Sequence, residues 1–431
     1  MTDYDFDVIV VGAGIAGSVC ATLLARSGAE VLLIERGAEP GSKNLSGGVF
    51  YPHVMTHIFP DFVESAPVER VITRNVVAAL TPHSSVSMDY WDQRLANPVN
   101  AVSVLRSKLD PWLAQQAEEA GVSLISGVKV EGLLRDGPYV SGVVATGEEM
   151  RAKVTVCADG VNSFLASDAG LRPAVSAHHL GLGVKSVIQM EEKTIQERFA
   201  LRDGEGVAYS FIGDATCGIP GGGFLYTNRD TISIGVVLLL DALARSGKSS
   251  SDIHDHFLSH PAIEPLIRSG EVIEYGCHLV AEGGQQMQQE IVHDGLLMVG
   301  DAAGFTLNTG LTLRGMDLAA GSAQAAAQAI TQALAAEDFS RLQLRSYLDH
   351  LKNSFVGADM HTYRKAPKFF ESHPVIFDGT SDLLTDILYR TYRHDGQPKD
   401  RLLRHARTAL KASSVKMSDL IRAGIGAIRS L

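Results

Sequence analysis

Residues Asp7–Val11 begin an unbroken apolar run that stops at Gly12 and gives way to small residues and then to "SVCATLLARSG". An apolar run of this length bounded by glycine predicts a strand buried on both faces, and the small-residue stretch after it predicts a closely packed helix. The pattern recurs in "EVLLIER" (30–36), "VTVCADG" (154–160) and "GLLMVGDAAG" (295–304), and these runs end at Glu35, Asp159 and Asp301. A further strand is expected in "GVKVEGLL" (127–134), and a helix in "SKLDPWLAQQAEEAG" (107–121). Between residues 174 and 288 the texture changes. "HLGLGVKSVIQM", "GVAYSFIGD", "GGFLYTN" and "TISIGVVLLL" are rich in β-branched and apolar residues with turns between them, which predicts a sheet. "SSSDIHDHFLSHPAIEPLI" (249–267) reads as helical, and from Ser340 onward the chain reads as helices rich in aromatic and basic residues.

Composition narrows the classes open to such a chain. At 431 residues and 45% hydrophobic it can bury at least two cores. A net charge of −11, from 38 basic and 49 acidic side chains, opposes attraction to phosphate backbones, so nucleic acid is not an expected partner. Cys20, Cys157, Cys217 and Cys277 show no C-x-x-C spacing, and the N-terminus enters a strand without a secretion signal; a cytoplasmic protein is expected. The longest apolar runs fall short of the ~20 residues that cross a bilayer as a helix. After Pro398, however, Lys399, Arg401, Arg404, Arg407, Lys411, Lys416, Arg422 and Arg429 face only Asp400 and Asp419. Leu402, Leu403, Ala406 and Leu410, then Leu420, Ile421, Ile425 and Ile428, form an apolar side suited to a membrane surface or to a partner subunit.

The first strand-to-helix junction carries specific chemistry. Gly12 permits a tight turn, Gly14 lets backbone approach a pyrophosphate, and Gly17 lets helix and strand pack closely; Ala16 lies between them. The uncapped helix N-terminus offers N–H groups to an anion, and Glu35 stands where a carboxylate accepts ribose hydroxyls. NAD needs one such junction. FAD also carries a ribityl chain and a flavin ring, and the later junction supplies contacts for them. Asp301 can accept from ribityl hydroxyls, Ala302, Ala303 and Gly304 leave room for the chain, and Gly300 belongs to the same cofactor-facing junction. A helix beginning near Leu311 to Gly315, a stretch that includes Thr312 and Leu313, would aim its positive end at the flavin's pyrimidine edge. FAD is therefore the expected cofactor. His254-Asp255-His256 and His178-His179 lack further ligands nearby, so no metal is expected, and a solvated helix face is the reading for each.

Asp159-Gly160 resembles the D-G element of flavoproteins with the para-hydroxybenzoate-hydroxylase type of FAD domain, in which the positions of Arg106 and Val130 meet the diphosphate and adenine. Over almost its full length the chain resembles the electron transfer flavoprotein:quinone oxidoreductase family, in particular its FixC-type members. The stretches that carry this are "KNLSGGVFYPH", "LRSKLDPWL", "ADGVNS", "GGGFLYTN" and "GDAAGFTLNTGLTLRGMDLA". The resemblance implies an α/β (α+β overall) chain with a glutathione-reductase/para-hydroxybenzoate-hydroxylase-like FAD-binding fold. The FAD-binding domain would comprise residues 1–89, 102–173 and 289–336, with a β-rich substrate domain at 174–288 and a helical region at 337–431. It implies that Arg36 and the loop Lys43, Asn44, Ser46, Gly47, Gly48 border the flavin, and that Gly221 and Gly222 meet a quinone. Electrons would pass from a two-subunit electron transfer flavoprotein to the quinone, with little acid–base chemistry. The longer members carry a cysteine-ligated iron–sulfur domain, but no cysteine follows Cys277, so a separate ferredoxin-like subunit is expected. Two other enzymes share this FAD domain. A flavin hydroxylase usually has an arginine where Asn162 stands, and a geranylgeranyl-type prenyl reductase carries an aromatic motif not evident in "VAYSFIGDATCGIP".

Overall fold

The computed structural model describes residues 4–431 except 45, 46, 174, 289, 311 and 378. Two sheets organise it. The first has a parallel core in the spatial order Leu296–Met298, Glu148–Cys157, Phe6–Val11, Val31–Ile34, Ser123–Ile125. The central segments of its strands are apolar because they are covered on both faces: Val8, Ile9, Val10, Leu33 and Leu297 are fully buried. Helices Ile15–Arg26, Arg106–Glu119 and Met316–Ala336 pack against one another, the first touching both of the others. The last is alanine-rich on its inner face, so its backbone comes close to the first helix.

The second sheet has nine strands and runs Glu271–Ala281, Leu180–Gln189, Thr231–Leu239, Gly221–Thr227, Glu205–Gly213, Val68–Thr81, Val102–Val104, Gly48–Phe50, with Ser84–Trp91 also paired to Val68–Thr81. It has its own core, built on residues such as Val184, Leu225, Ile234 and Phe257. The sequence reading grouped residues up to 89 with the cofactor-binding pieces. Strand pairing instead joins Val68–Thr81 to Glu205–Gly213, in parallel, and brings Gly48–Phe50 and Val102–Val104 into the same sheet.

Arg70 fixes this long-range pairing. It is 2% exposed and donates to the carbonyls of Asn228 at 2.6 Å, Arg229 at 2.8 Å and Glu205 at 3.1 Å. Its guanidinium thereby joins one strand to the end of its parallel neighbour and to the turn between two others. The helix Ser250–Ser259 closes over this sheet and corrects one expectation. His254 is 1% exposed and sits edge-on to Tyr275, while His256 is exposed and meets Asp214 at 2.7 Å. The helix therefore turns His254 inward and His256 outward. From Arg341 to Ser430 the described chain is helical, apart from short turns and the connection before Leu402.

Arg70→Met leaves three carbonyls without this donor, that of Asn228 buried. It is expected to lower stability by on the order of 3 kcal/mol, read as a lower denaturation midpoint. An unchanged midpoint would contradict the role given to Arg70.

Candidate functional site

The parallel pairing places three junctions side by side. Val11 is opposite Cys157, and Cys157 is opposite Met298. Beyond them Ala158 N–H donates to Val11 O at 2.9 Å and Val299 N–H to Cys157 O at 3.0 Å. Gly12, Asp159 and Asp301 thus leave the same edge of one sheet, although the chain between the first and last of them spans most of the molecule. A Cβ on Gly17 would lie 1.8 Å from Gly12 O, and one on Gly12 would lie 2.4 Å from Ala158 O. Only glycine permits that approach.

These strand ends open into a cavity of about 390 Å³. Of the residues expected at the cofactor, Gly12, Gly14, Ala16, Glu35, Arg36, Lys43, Asn44, Gly47, Gly48, Arg106, Val130, Asp159, Gly160, Asp301 and Leu313 line it. Gly17, Gly300 and Gly304 lie behind it, where added Cβ atoms would strike Gly12 O, Ala16 Cβ and Met287 Cβ at 1.8, 2.8 and 2.5 Å. Thr312 lines a neighbouring cavity, described below. Ser46 and Leu311 are outside the described residues.

The donor set fits an FAD. Helix Ile15–Arg26 has no side-chain cap and no acidic residue in its first turn, so its N–H groups are left for an anion. Arg106 stands beside them, its Nη2 being 3.3 Å from where a Gly14 Cβ would be. Glu35 is tied at both oxygens, accepting from Ala13 N–H at 3.0 Å and Gly37 N–H at 2.6 Å, which fixes its carboxylate at the cavity wall. Asp159 Oδ2 accepts from Leu165 N–H at 3.3 Å, while its Oδ1 is shielded from solvent and has no hydrogen-bond partner. Desolvation holds the Asp159 and Asp301 carboxyls above the usual range; Arg172 pulls the first back and Arg106 the second. The main helix of the second junction has Gly315 as its N-cap and starts at Met316, at the end of the expected stretch, after residues 307–308 and 313–314 form a small hairpin.

Two groups went unnoticed in the sequence. Asp110 is fully buried and takes Arg106 Nε at 2.6 Å, Arg106 Nη2 at 2.7 Å and Asn44 Nδ2 at 2.7 Å, so it fixes both a cation and the loop that borders the cavity. The spacing of Arg106 and Asp110, one helical turn apart, was the available signal. Lys185, 3% exposed, lines the cavity from the second sheet and donates from Nζ to Gly47 O. Burial pushes its ammonium down to about 7; Glu274 opposes the shift and Arg106 adds to it.

A second cavity of about 450 Å³ adjoins the first, sharing Val49, Phe224, Tyr226, Val237 and Leu313 in its walls. Gly221 and Gly222 line it, as does the pair His178-His179. Those histidines lie in a 3-10 turn at the cavity and not on a solvated helix, which corrects that expectation. Phe370 and Phe377 close the far side.

A parallel sheet with phosphate-, ribose- and flavin-directed groups at one edge, roofed by a second sheet, defines an FAD-dependent oxidoreductase. The "FAD binding domain" family model matches residues 5–198. A protein named probable electron transfer flavoprotein-quinone oxidoreductase YdiS, from Escherichia coli (strain K12), is 46% identical over 399 residues, 92% of this chain and 93% of its own. Protein FixC of the same strain is 43% identical over 412 residues, 94% of this chain and 96% of its own. The chain belongs to the FixC and electron transfer flavoprotein-quinone oxidoreductase family. In fold it matches a geranylgeranyl bacteriochlorophyll reductase-like protein from Thermoplasma acidophilum, with a TM-score of 0.71, 20% identity, and coverage of 97% of this chain and 99% of that one.

Gly14→Val is expected to leave the flavin-free fold intact but abolish FAD retention, whereas Gly17→Val unfolds both forms; circular dichroism and flavin content separate the two. Lys185 gives a pH signature. Its pKa is lowered on folding, so the penalty for burying its charge is full below about 7 and fades as pH rises toward the unfolded value. In the flavin-free protein Lys185→Met should raise the melting temperature at pH 6, with the gain shrinking as pH approaches 10. A gain that grows with pH would contradict the assignment.

Proposed function

We propose that this chain carries electrons from an electron transfer flavoprotein to a quinone seated in the second cavity. The observation that supports this most is the shared wall: five side chains border both cavities, so a flat apolar ring in the second lies against the site of the flavin. Bound FAD supplies reversible one- and two-electron transfer at its isoalloxazine ring. The protein's own part is to hold, orient and exclude water. The glycine loop, Arg106 and Asp159 would hold the diphosphate and ribityl region, and Lys43, Asn44, Gly47, Gly48 and Lys185 would border the ring. Gly221 and Gly222 would admit the quinone head to the backbone, since a Cβ on Gly222 already lies 3.0 Å from Phe211 O. We assign the iron–sulfur relay of the wider family to a separate ferredoxin-like subunit, because the four cysteines here stand apart.

We further place the C-terminal helices on a membrane surface, with the rest of the protein on its cytoplasmic side. No described helix is long and apolar enough to cross a bilayer. Helix Met417–Ser430 turns Ala423 and Gly426 inward, the latter against Phe369. Its outer side exposes Ile421, Ile425 and Ile428, and the helix before it exposes Leu402 and Leu403, among Arg404, Arg407, Lys411, Lys416, Arg422 and Arg429. Such a face suits anionic lipid. It also lies near the mouth of the second cavity: Phe370 Cζ and Leu431 Cδ1 are 2.7 and 3.9 Å from where a Gly310 Cβ would be. A lipid-dissolved quinone could enter there without crossing water.

Anaerobic stopped-flow mixing with reduced electron transfer flavoprotein is expected to bleach the flavin absorbance, and a soluble quinone to restore it. Gly222→Leu should keep its FAD and the bleaching phase but slow the restoring phase by about tenfold or more. Failure to bleach with a competent donor would overturn the proposal. Ile421→Glu with Ile428→Glu should abolish co-sedimentation with phosphatidylglycerol vesicles at unchanged FAD content; retained co-sedimentation would remove the membrane assignment.

A further inference from the structure

The second cavity has one feature that electron transfer alone does not require. Its walls are largely apolar, yet the carboxyl of Glu282 stands among them, at the end of the strand Glu271–Ala281. Its Oε2 accepts a hydrogen bond from Asn308 Nδ2 at 3.1 Å, and no cation pairs with it among the described residues. Its Cγ lies 3.3 Å from where a Cβ on Gly181 would be, so the side chain is packed against the neighbouring strand. A carboxylate held this way, with an amide as its partner, is poorly stabilised as an anion. Desolvation accordingly pushes Glu282 up to about 7, with Asn308 pulling the other way.

Two histidines and further titratable groups surround it. Glu282 N–H donates to His179 O at 2.8 Å, and a Cβ on the next residue, Gly283, would lie 2.8 Å from His179 Cβ and Cγ. His179 is half-buried, and its neighbour His178 is exposed, with Nδ1 3.3 Å from Asp241 and Nε2 3.4 Å from Glu371. The other titratable groups around the cavity are Lys368, Tyr51 and Tyr226. Glu282 and His179 are both half-buried and joined through their backbones, and His178 beside them is exposed.

We propose that Glu282 is the proton donor for quinone reduction in the second cavity, held in place by Asn308 and reprotonated from water. This rests on the reading of that cavity as the quinone site. Quinone becomes quinol by gaining two electrons and two protons. The electrons would come from the reduced flavin of the activity proposed above. One proton passes from the Glu282 carboxyl to the nearer carbonyl oxygen, breaking its O–H bond and forming that of the quinol and leaving Glu282 as the carboxylate. The second oxygen takes its proton from solvent water. Asn308 is a positioning residue in this scheme.

The test uses the FAD-loaded protein, reduced anaerobically and then mixed with ubiquinone-1 or, separately, with ferricenium, which takes one electron and no proton. In the wild type the rate with ubiquinone-1 should be high below about pH 7 and fall above it, because the donor must be protonated. Glu282→Gln should lower the ratio of the quinone rate to the ferricenium rate by about a hundredfold and remove that pH break. Glu282→Asp should restore part of the ratio, and ubiquinone-1 should still perturb the flavin spectrum of Glu282→Gln. An unchanged ratio and pH profile in Glu282→Gln, with ubiquinone-1 still bound, would overturn the proton-donor role and leave the quinone site standing. A wild-type protein that neither binds nor is reoxidised by ubiquinone-1 would instead overturn the quinone reading, and the donor role with it.

Discussion

Everything in this molecule depends on the register of three parallel strands. Val11, Cys157 and Met298 lie in one row, so the chain leaves the sheet three times at the same edge. Each exit contributes a different kind of group: uncapped N–H donors after Gly12, a carboxylate at Asp159 and another at Asp301. Side chains alternate along a strand, so a slip of one residue in either pairing would exchange cavity-facing for core-facing positions. The fit of Gly12 against Ala158 O and of Gly300 against Ala16 makes such a slip sterically expensive. Stability and cofactor recognition are therefore set by the same contacts.

The second sheet turns this edge into an enclosed site. It brings Lys185 over the loop that contains Gly47, and it separates the cofactor cavity from the second cavity by a layer of shared side chains. In such surroundings a charge interacts more strongly than in water. The Asp110 carboxylate matters for that reason: it pairs with Arg106 through Nε and Nη2 and so holds Nη2 beside the glycine turn. The helices after Ser340 complete the enclosure from the other side through Phe370 and Phe377.

How much of this could be read beforehand follows from the range of the interactions. The junctions at Gly12, Asp159 and Asp301 were legible because an apolar run, a glycine turn and an acid are neighbours in the chain. Lys185 was not, because in "LGLGVKSVIQM" it looks like an ordinary outward position of a strand, and only the packing of two sheets buries it. The strand Val68–Thr81 was placed with the wrong pieces for the same reason: its partner, Glu205–Gly213, comes more than a hundred residues later. His254 was misread because helix 250–259 has polar residues on both sides of it, so only the observed packing on Tyr275 shows which side is inward. Glu282 was not singled out, because in "VAEGGQQ" nothing local tells of the cavity beside it.

The central claim is that one dinucleotide is gripped at two ends by parts of the chain that meet only in the folded sheet. Equilibrium titration of the flavin-free protein with FAD, FMN and riboflavin, followed by flavin fluorescence, tests it most directly. The account predicts that FAD binds at least about a hundredfold more tightly than FMN, the difference of roughly 2.7 kcal/mol coming from the adenosine half held at the Gly12 junction. Equal affinities for FAD and FMN would contradict it.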